Sequence, residues 1–530
     1  MMYQKPKRKL VYFRPGQITF LATHPGDTVT DEDLRKWKDE VENFLQGGRI
    51  IWPPRTFSFR ALTVDEDMPS KDQSERLTSA FKPSQQPPER LRDAFSIIAC
   101  DVENVPDDPR ELLKLIAELN KQLRNRVFAG LTMKAISPNW LSSAASEAGG
   151  TGGPGGWPVP FQGMPDRAPY DFRKLRDDLA AAGLKGDGEN VDVAILDTAP
   201  CPHDLIAAHK EWKDRHPLIR TLLGPDGQLR LYPATYDELL RMRSTSLNRH
   251  DYKMTDHGLF AAGIVHTIAP RAKIHLIEVL NACGVGDLAT LAGGLEKVFR
   301  DIYKPERRLV VNCSWMLELS LEDKHCYAES EADPEFEFEQ DVLQFAQNDQ
   351  DQAFALRAVC DRLEDAGRQV IAAAGNDWRE KKARPDAPKA RYPAGFISAI
   401  GVGALPRDSQ PDPVTGKFAA SNYSNLADKP PMTGIMTLGG EPGEGQGLLG
   451  LYLGGFPLCE ENCTKWAWWA GTSFATPILT GAIAAVLSSP ARLTTTKEAI
   501  TALYDKKIIL QYQTTAQEDA LHTMQDYPTL

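Results

Sequence analysis

No stretch of this chain is long and apolar enough to cross a bilayer, which takes about 18–20 consecutive apolar residues. The longest candidate, Ile478–Leu487, falls well short. A secretory leader is not legible either. MMYQKPKRKLVYFRPGQITF begins basic, but no apolar core of sufficient length and no small-residue cleavage site follow. These two absences read as a soluble, cytoplasmic protein without a membrane partner. Cysteine is sparse and scattered: eight residues, Cys100, Cys201, Cys283, Cys313, Cys326, Cys360, Cys459 and Cys463. That excludes a disulfide framework and reads as reduced, mostly buried thiols, with Cys459 and Cys463 close enough to pair only under oxidising conditions. Basic charge is not in excess. Lys and Arg number 61 against 72 Asp and Glu, a net charge of −11. Nucleic acid is therefore not expected as a partner, because a phosphate backbone demands clustered cations. What remains, 42% apolar and 25% charged residues, is ordinary globular composition.

At roughly 150 residues per domain, 530 residues give room for three or four domains. Residues 1–141 alternate short strand and helix patterns and read as an N-terminal α+β domain. Lys9–Phe20 suggests one or two strands with a turn at Pro15-Gly16. Asp31–Leu45 has helical spacing, with Trp37, Val41, Phe44 and Leu45 on one side, and Pro109–Arg124 is a second amphipathic helix. Val127–Ile136 reads as a strand. Pro69–Arg90 is polar and Pro-rich, which reads as a loop.

Ser142–Pro160, SSAASEAGGTGGPGGWPVP, has the Gly and Ser content of a linker. It contains a formal GxGxxG (Gly150, Gly152, Gly155), but Pro154 interrupts it and no strand-to-helix context flanks it. A nucleotide loop is not expected there, nor at Gly445, Gly447 and Gly450. Beyond the linker, Val191–Leu196, Lys273–Leu280, Leu309–Asn312, Gln369–Ala374 and Ile397–Val402 are short, apolar and β-branched, as strands buried on both faces are. Helical stretches at His257–His266, Leu288–Ile302, Asp341–Glu364 and Phe474–Leu487 separate several of them. The alternation predicts an α/β domain over 161–510, a doubly wound, mostly parallel sheet with ligands at the strand ends. A C-terminal tail, 511–530, follows.

Three segments at element ends carry candidate chemistry. Asp197 closes the VAILD strand, His257 opens the helix HGLFAAGIV, and Ser473 in GTSFATP opens another apolar helix. A serine hydroxyl is a weak nucleophile. It needs a base within reach, and that base needs an orienting carboxylate. Ser473 at a helix N-terminus would also have unpaired N–H groups and the helix dipole beside any developing negative charge. Asn376, ending the AAAGN strand, could donate to an oxyanion.

In these segments the sequence resembles the subtilisin-like serine proteases, the subtilases, over roughly residues 187–505. The likeness runs through VAILDT, HGLFAAGIV, APRAKIHLIEVLNACGVGD, VVNCS, AAAGN, YPAGFISAIGVGAL and GTSFATP, in the family's order. The resemblance implies a serine endopeptidase working through an acyl-enzyme. In it Asp197 is the orienting carboxylate, His257 the general base and Ser473 the nucleophile. Asn376 and the Ser473 N–H form the oxyanion site. It also implies substrate-binding edges at Gly284-Val285-Gly286 and Ser314-Trp315-Met316, and a wall of the first pocket at Ala373, Ala374 and Gly375. The expected partner is a polypeptide substrate. No cofactor is implied for the chemistry, while structural calcium is compatible with the family but matches no acidic loop here. The chain departs from the family at Ala199, at Leu259-Phe260 and at Met316. The family usually has glycine where Met316 stands, and the larger side chain would narrow the first pocket. The alternative function is a catalytically silent peptide-binding module on the same fold. A serine-carboxyl peptidase is disfavoured by the histidine of HGLFAAG.

Cys201, His203 and His209 have no standard zinc spacing, so no metal site is expected there. The acidic run Glu329–Asp341 reads as a solvated loop, with a preference for substrates basic near the cut as the sharper alternative. The N-terminal domain has two readings: a segment that blocks the cleft and is cut off in the linker, or a permanent regulatory domain.

Overall fold

The computed structural model describes residues 13–26, 28–48, 50, 54–61, 91, 93–103, 109–144, 158–168, 172–224, 231–234, 254–282, 284–317, 353–377, 389–407, 409, 419–427, 434–456, 461–510 and 519–521. The Pro69–Arg90 loop, the acidic run Glu329–Asp341, Cys283, Cys326 and Cys459 lie outside the described residues.

The N-terminal residues build an antiparallel sheet from Phe13–His24, Arg55–Phe59, Ala94–Asp101, Val127–Phe128 and Leu131–Ala144. The first strand is single where a turn at Pro15-Gly16 was one expectation. Gly16, at φ 70°, accommodates a bulge, and the register jumps from Phe13–Trp140 to Ile18–Pro138. The Val127–Ile136 pattern is two strands, joined at Ala129 and Gly130. Both have positive φ, as a two-residue hairpin requires. Helix Asp31–Phe44 begins at a capping box in which Thr30 Oγ1 accepts from Asp33 N–H and the Asp33 carboxylate accepts from Thr30 N–H. It buries Leu34, Trp37 and Val41 on the sheet, Trp37 meeting Phe20 edge-on at 5.2 Å. Phe44, expected on that face, is exposed because it is the last helical residue.

The second body is a nine-stranded sheet. Its order is Ile509–Leu510, Asp519–Leu521, Ile435–Leu438, Ala399–Leu405, Val370–Ala373, Arg308–Cys313, Val191–Asp197, Lys273–Glu278 and Leu231–Ala234. Every neighbouring pair is parallel except the first. The expected α/β class holds. The interior strands Val191–Asp197 and Ala399–Leu405 are buried at every position, as continuous apolar runs dictate. Helices His257–Ile268 and Thr472–Leu487 pack together against this sheet and are almost wholly buried, so they are apolar all round. The stretch expected as one helix, Leu288–Ile302, is α-helical to Lys297 and then relaxes into a π turn, Val298–Ile302. The described part of Asp341–Glu364 is helical over Phe354–Asp365. The expected tail, 511–530, supplies the Asp519–Leu521 strand, too short and mixed for a period to betray it.

Helices Leu288–Lys297 and Phe354–Asp365 carry the N-terminal sheet on their outer side. Phe59 meets Phe299 edge-on at 5.5 Å, the Arg362 guanidinium lies 5.2 Å over Phe95, and Arg14 pairs with Asp287. Asn139 Oδ1 accepts from Ala289 N–H at 3.0 Å, satisfying one of the free donors at that helix start.

The composition-based linker needs correcting at both ends. Ser142–Ala144 continue the Leu131–Ala144 strand, and Val159–Pro160 form a strand against Ala467 and Trp468. Main-chain pairing is indifferent to small polar side chains, so Ser-Ser-Ala pairs as well as an apolar run would.

Candidate active site

The parallel strands deliver their C-terminal ends to one place. Asp197 is the last residue of Val191–Asp197 and is fully buried. Its Oδ1 accepts from Thr198 N–H at 2.7 Å and lies 2.7 Å from His257 Nδ1. His257 opens its helix directly above, also without exposure. The approach is close because Gly258 has no side chain. A Cβ there would meet the Thr198 carbonyl at 2.2 Å and Asp197 Cβ at 2.8 Å. Thr198 Oγ1 ties the two segments, accepting from Gly258 N–H and donating to the Thr255 carbonyl. His257 Nε2 is buried and has no hydrogen-bond partner. Trp469 lies 5.4 Å from the imidazole and Phe474 5.0 Å, so the ring is walled by aromatics.

Ser473 sits in the first turn of Thr472–Leu487, buried, its hydroxyl donating to the Ser314 carbonyl at 3.2 Å. Ser314 Oγ in turn donates to the Ser473 carbonyl at 2.8 Å. Asn376 follows the Val370–Ala373 strand. Its Oδ1 accepts from Thr472 N–H at 3.1 Å and from Thr472 Oγ1 at 2.9 Å. That fixes the amide so that Nδ2, buried and unpartnered, is the free face. Thr472, whose hydroxyl also accepts from Gly375 N–H, is a positioning group that motif reading passed over although it stands inside GTSFATP.

The structure therefore brings Asp197 and His257 into contact, and Ser473 with Ser314, and Asn376 with Thr472. The geometry offers a base with one free nitrogen, a hydroxyl at a helix start and a free amide donor. These are the parts of acyl transfer.

The expected edges are present with one shift. Gly284, at φ 73°, is in a turn closed by its own N–H to the Asn281 carbonyl, and the edge strand runs Val285–Asp287. Trp315–Leu317 is the other edge, Met316 buried at its centre. Between them lies the end of the N-terminal strand. Ser143 is opposite Val285 on one side and Met316 on the other, and Ala144 is opposite Trp315. Contact is close enough that a Cβ on Gly286 would meet Ser142 Oγ at 2.8 Å. The strand runs antiparallel to Trp315–Leu317, so its C-terminal end heads toward Ser314, whose carbonyl Ser473 touches. Ala373 ends its strand, Ala374 N–H bonds the Val402 carbonyl, and Gly375 has φ 112°.

Other candidates separate from this centre. Cys201 caps Pro202–Trp212, and His203 lies exposed beside Asp204. Among the described residues no group of three or more His, Cys, Asp or Glu could hold a metal ion, and no helix is long and apolar enough to cross a membrane.

Asp256, the residue before His257, stands in the Asp256-His257-Gly258 segment, and the sequence assigns it no role of its own. Its Oδ2 accepts from Leu453 N–H at 2.7 Å and Gly454 N–H at 2.6 Å. Burial pushes its carboxyl from 3.8 up to about 6, with those two N–H groups pulling the other way. A folded-state value above the ordinary one means the folded chain binds this proton more tightly. The group's stabilisation is therefore complete below about pH 4 and lost as the pH rises through about 6. Asp256→Asn keeps an acceptor and carries no charge. Relative to wild type it is expected to gain about 2 kcal/mol between pH 4.5 and 7.5. Denaturant midpoints at both pH values check this, and an unchanged difference refutes it.

A family model, described as the subtilase family, matches residues 188–525. No curated protein matches the chain. Among solved structures, a mutant of the protease domain of PatA is 18% identical, covering 64% of this chain and 94% of its own, with a TM-score of 0.36. A lanthipeptide protease is also 18% identical, covering 67% of this chain and 92% of its own, with a TM-score of 0.41.

Proposed function

Since the chain belongs to the subtilase family, we propose that it is a serine endopeptidase whose own N-terminal domain fills its cleft until the connecting segment is cut. Ser473 Oγ attacks the scissile carbonyl, His257 Nε2 takes the proton and returns it to the leaving amine, and Asp197 holds the imidazolium. Asn376 Nδ2 and the Ser473 N–H receive the oxyanion. The observation that carries the reading is the 2.7 Å Asp197–His257 contact, which leaves Nε2 without a partner on a ring 5.0 Å from Phe474, the residue after Ser473; the Ser473 hydroxyl itself rests on the Ser314 carbonyl. The intact set of acid, base, hydroxyl and amide favours an enzyme over a silent peptide-binding module.

The reading of the N-terminal domain as an occupant is supported by the pairing of Ser142–Ala144 with both edge strands, the way an extended peptide adds to a sheet. Small side chains stand where Gly286 and Met316 close in, so substrates are expected to be small at the corresponding positions. A preference for basic residues would need the acidic run 329–341 near the cleft, and nothing described favours it.

Residues 145–157 connect Ala144, beside Ser314, with the Val159–Pro160 strand, beside Trp468. A cut there separates the occupant. The test is a fluorophosphonate probe with peptide mapping and intact mass. Purified wild type is expected to lose a fragment ending within 145–157 and then to label at Ser473. Full-length protein that labels without mass loss would make the N-terminal domain a permanent gate. Cut protein that does not label would leave a silent binding module.

A further inference from the structure

We propose that Asn425 is a positioning residue that holds Asn376 where its amide can meet the oxyanion, an inference that rests on reading Asn376 as the oxyanion donor. Asn376 makes its side-chain contacts with Thr472, and these orient the amide about its own axis. They do not fix the peptide that carries it. That peptide leaves the Val370–Ala373 strand through Gly375, at φ 112°, a left-handed conformation that side chains other than glycine resist. A donor must be held to within about 0.5 Å to be worth its full effect. Something else has to hold this exit.

Asn425 does so from both sides. Its backbone N–H donates to the Gly375 carbonyl at 2.9 Å. Its Oδ1 accepts from Asp377 N–H at 2.7 Å, and its Nδ2 donates to Asp377 Oδ2 at 2.6 Å and to the Lys389 carbonyl at 3.2 Å. The residues before and after Asn376 are thus both tied to one side chain and its backbone. Asn425 is fully buried, and a Cβ on Gly375 would meet its Nδ2 at 2.6 Å. Arg391 completes the brace: Nε donates to Asp377 Oδ2 at 2.8 Å and its N–H donates to the Ala374 carbonyl at 2.9 Å. An asparagine is the fitting residue. The bond to Asp377 Oδ2 needs a donor and the bond from Asp377 N–H needs an acceptor, and a side-chain amide carries both on one planar group.

The experiment is a double-mutant cycle on the full chain, cut within 145–157 by an added protease so that every variant is compared in one processed form. The substrate is an internally quenched peptide spanning residues 138–157. Asn425→Ala is expected to lower kcat by about 10- to 100-fold with KM within about twofold, the scale of a small misplacement. In an Asn376→Ala background the same change is expected to cost under about threefold, because its effect runs through the amide. An equal loss in both backgrounds overturns the proposal and makes Asn425 a general structural residue. Asn376→Ala without effect on kcat overturns the underlying reading instead, and the proposal with it.

If Asn425→Ala does not fold, Asn425→Asp serves. It keeps the size and the acceptor but sets a carboxylate against Asp377. It is expected to show the same kcat loss, and adding Asp377→Asn is expected to restore at least half of it on a logarithmic scale. No recovery overturns the proposal.

Discussion

Ser473→Ala is expected to lower kcat by about 10⁶-fold and Asp197→Asn by about 10⁴-fold, the scales found for these roles in other serine proteases. In the proposed mechanism the hydroxyl forms the covalent bond, so its removal would leave only binding and the oxyanion donors. Asp197 acts one step back. Its Oδ1 lies 2.7 Å from His257 Nδ1, and an ionised carboxylate there would favour the ring proton on that nitrogen and the lone pair on Nε2. An asparagine can offer its own N–H to Nδ1, which places the ring proton on Nε2 and removes the base. Both groups are buried, so water does not substitute for the lost carboxylate. Steady-state rates on chains cut within 145–157 give the comparison. A loss under about tenfold for Asp197→Asn would mean that His257 is oriented by something else, and the triad assignment would fall.

Asn376→Ala is expected to lower kcat by about 10²- to 10³-fold, roughly 3–4 kcal/mol, with KM little changed. Thr472 holds Oδ1 from two donors, so the amide cannot flip without losing both bonds. Nδ2 is left without a partner in the structure. A buried donor with no ground-state partner strengthens only when charge develops on the carbonyl oxygen, which is a kcat effect. A raised KM with constant kcat would assign Asn376 to substrate binding instead.

The strand runs VDVAIL and QVIAAA were legible because burial on both faces leaves only apolar residues. The order of Asp197, His257 and Ser473 was legible because each motif sits at an element end. Other parts had no comparable signal. Ile435–Leu438, Leu448–Leu451 and Trp466–Trp469 are four-residue strands, shorter than any period can mark. Asp256 and Asn425 find their hydrogen-bond partners far along the chain, and spacing carries no trace of that. Ser142–Ala144 misled for a specific reason. Its composition is that of a tether, while its role in the fold is set by backbone pairing with Val285–Asp287 and Trp315–Leu317.

That shared strand has a consequence for how activity would scale. If the N-terminal domain is the occupant proposed above, then while residues 145–157 are intact Ser142–Ala144 would compete for the slot as a tethered ligand, at an effective concentration on the order of millimolar that dilution does not change. Once the connection is cut, the same strand is a free competitor whose occupancy falls as the protein is diluted. Toward other substrates the uncut chain would thus be blocked to the same degree at any abundance, and the cut chain would be most active where it is scarce.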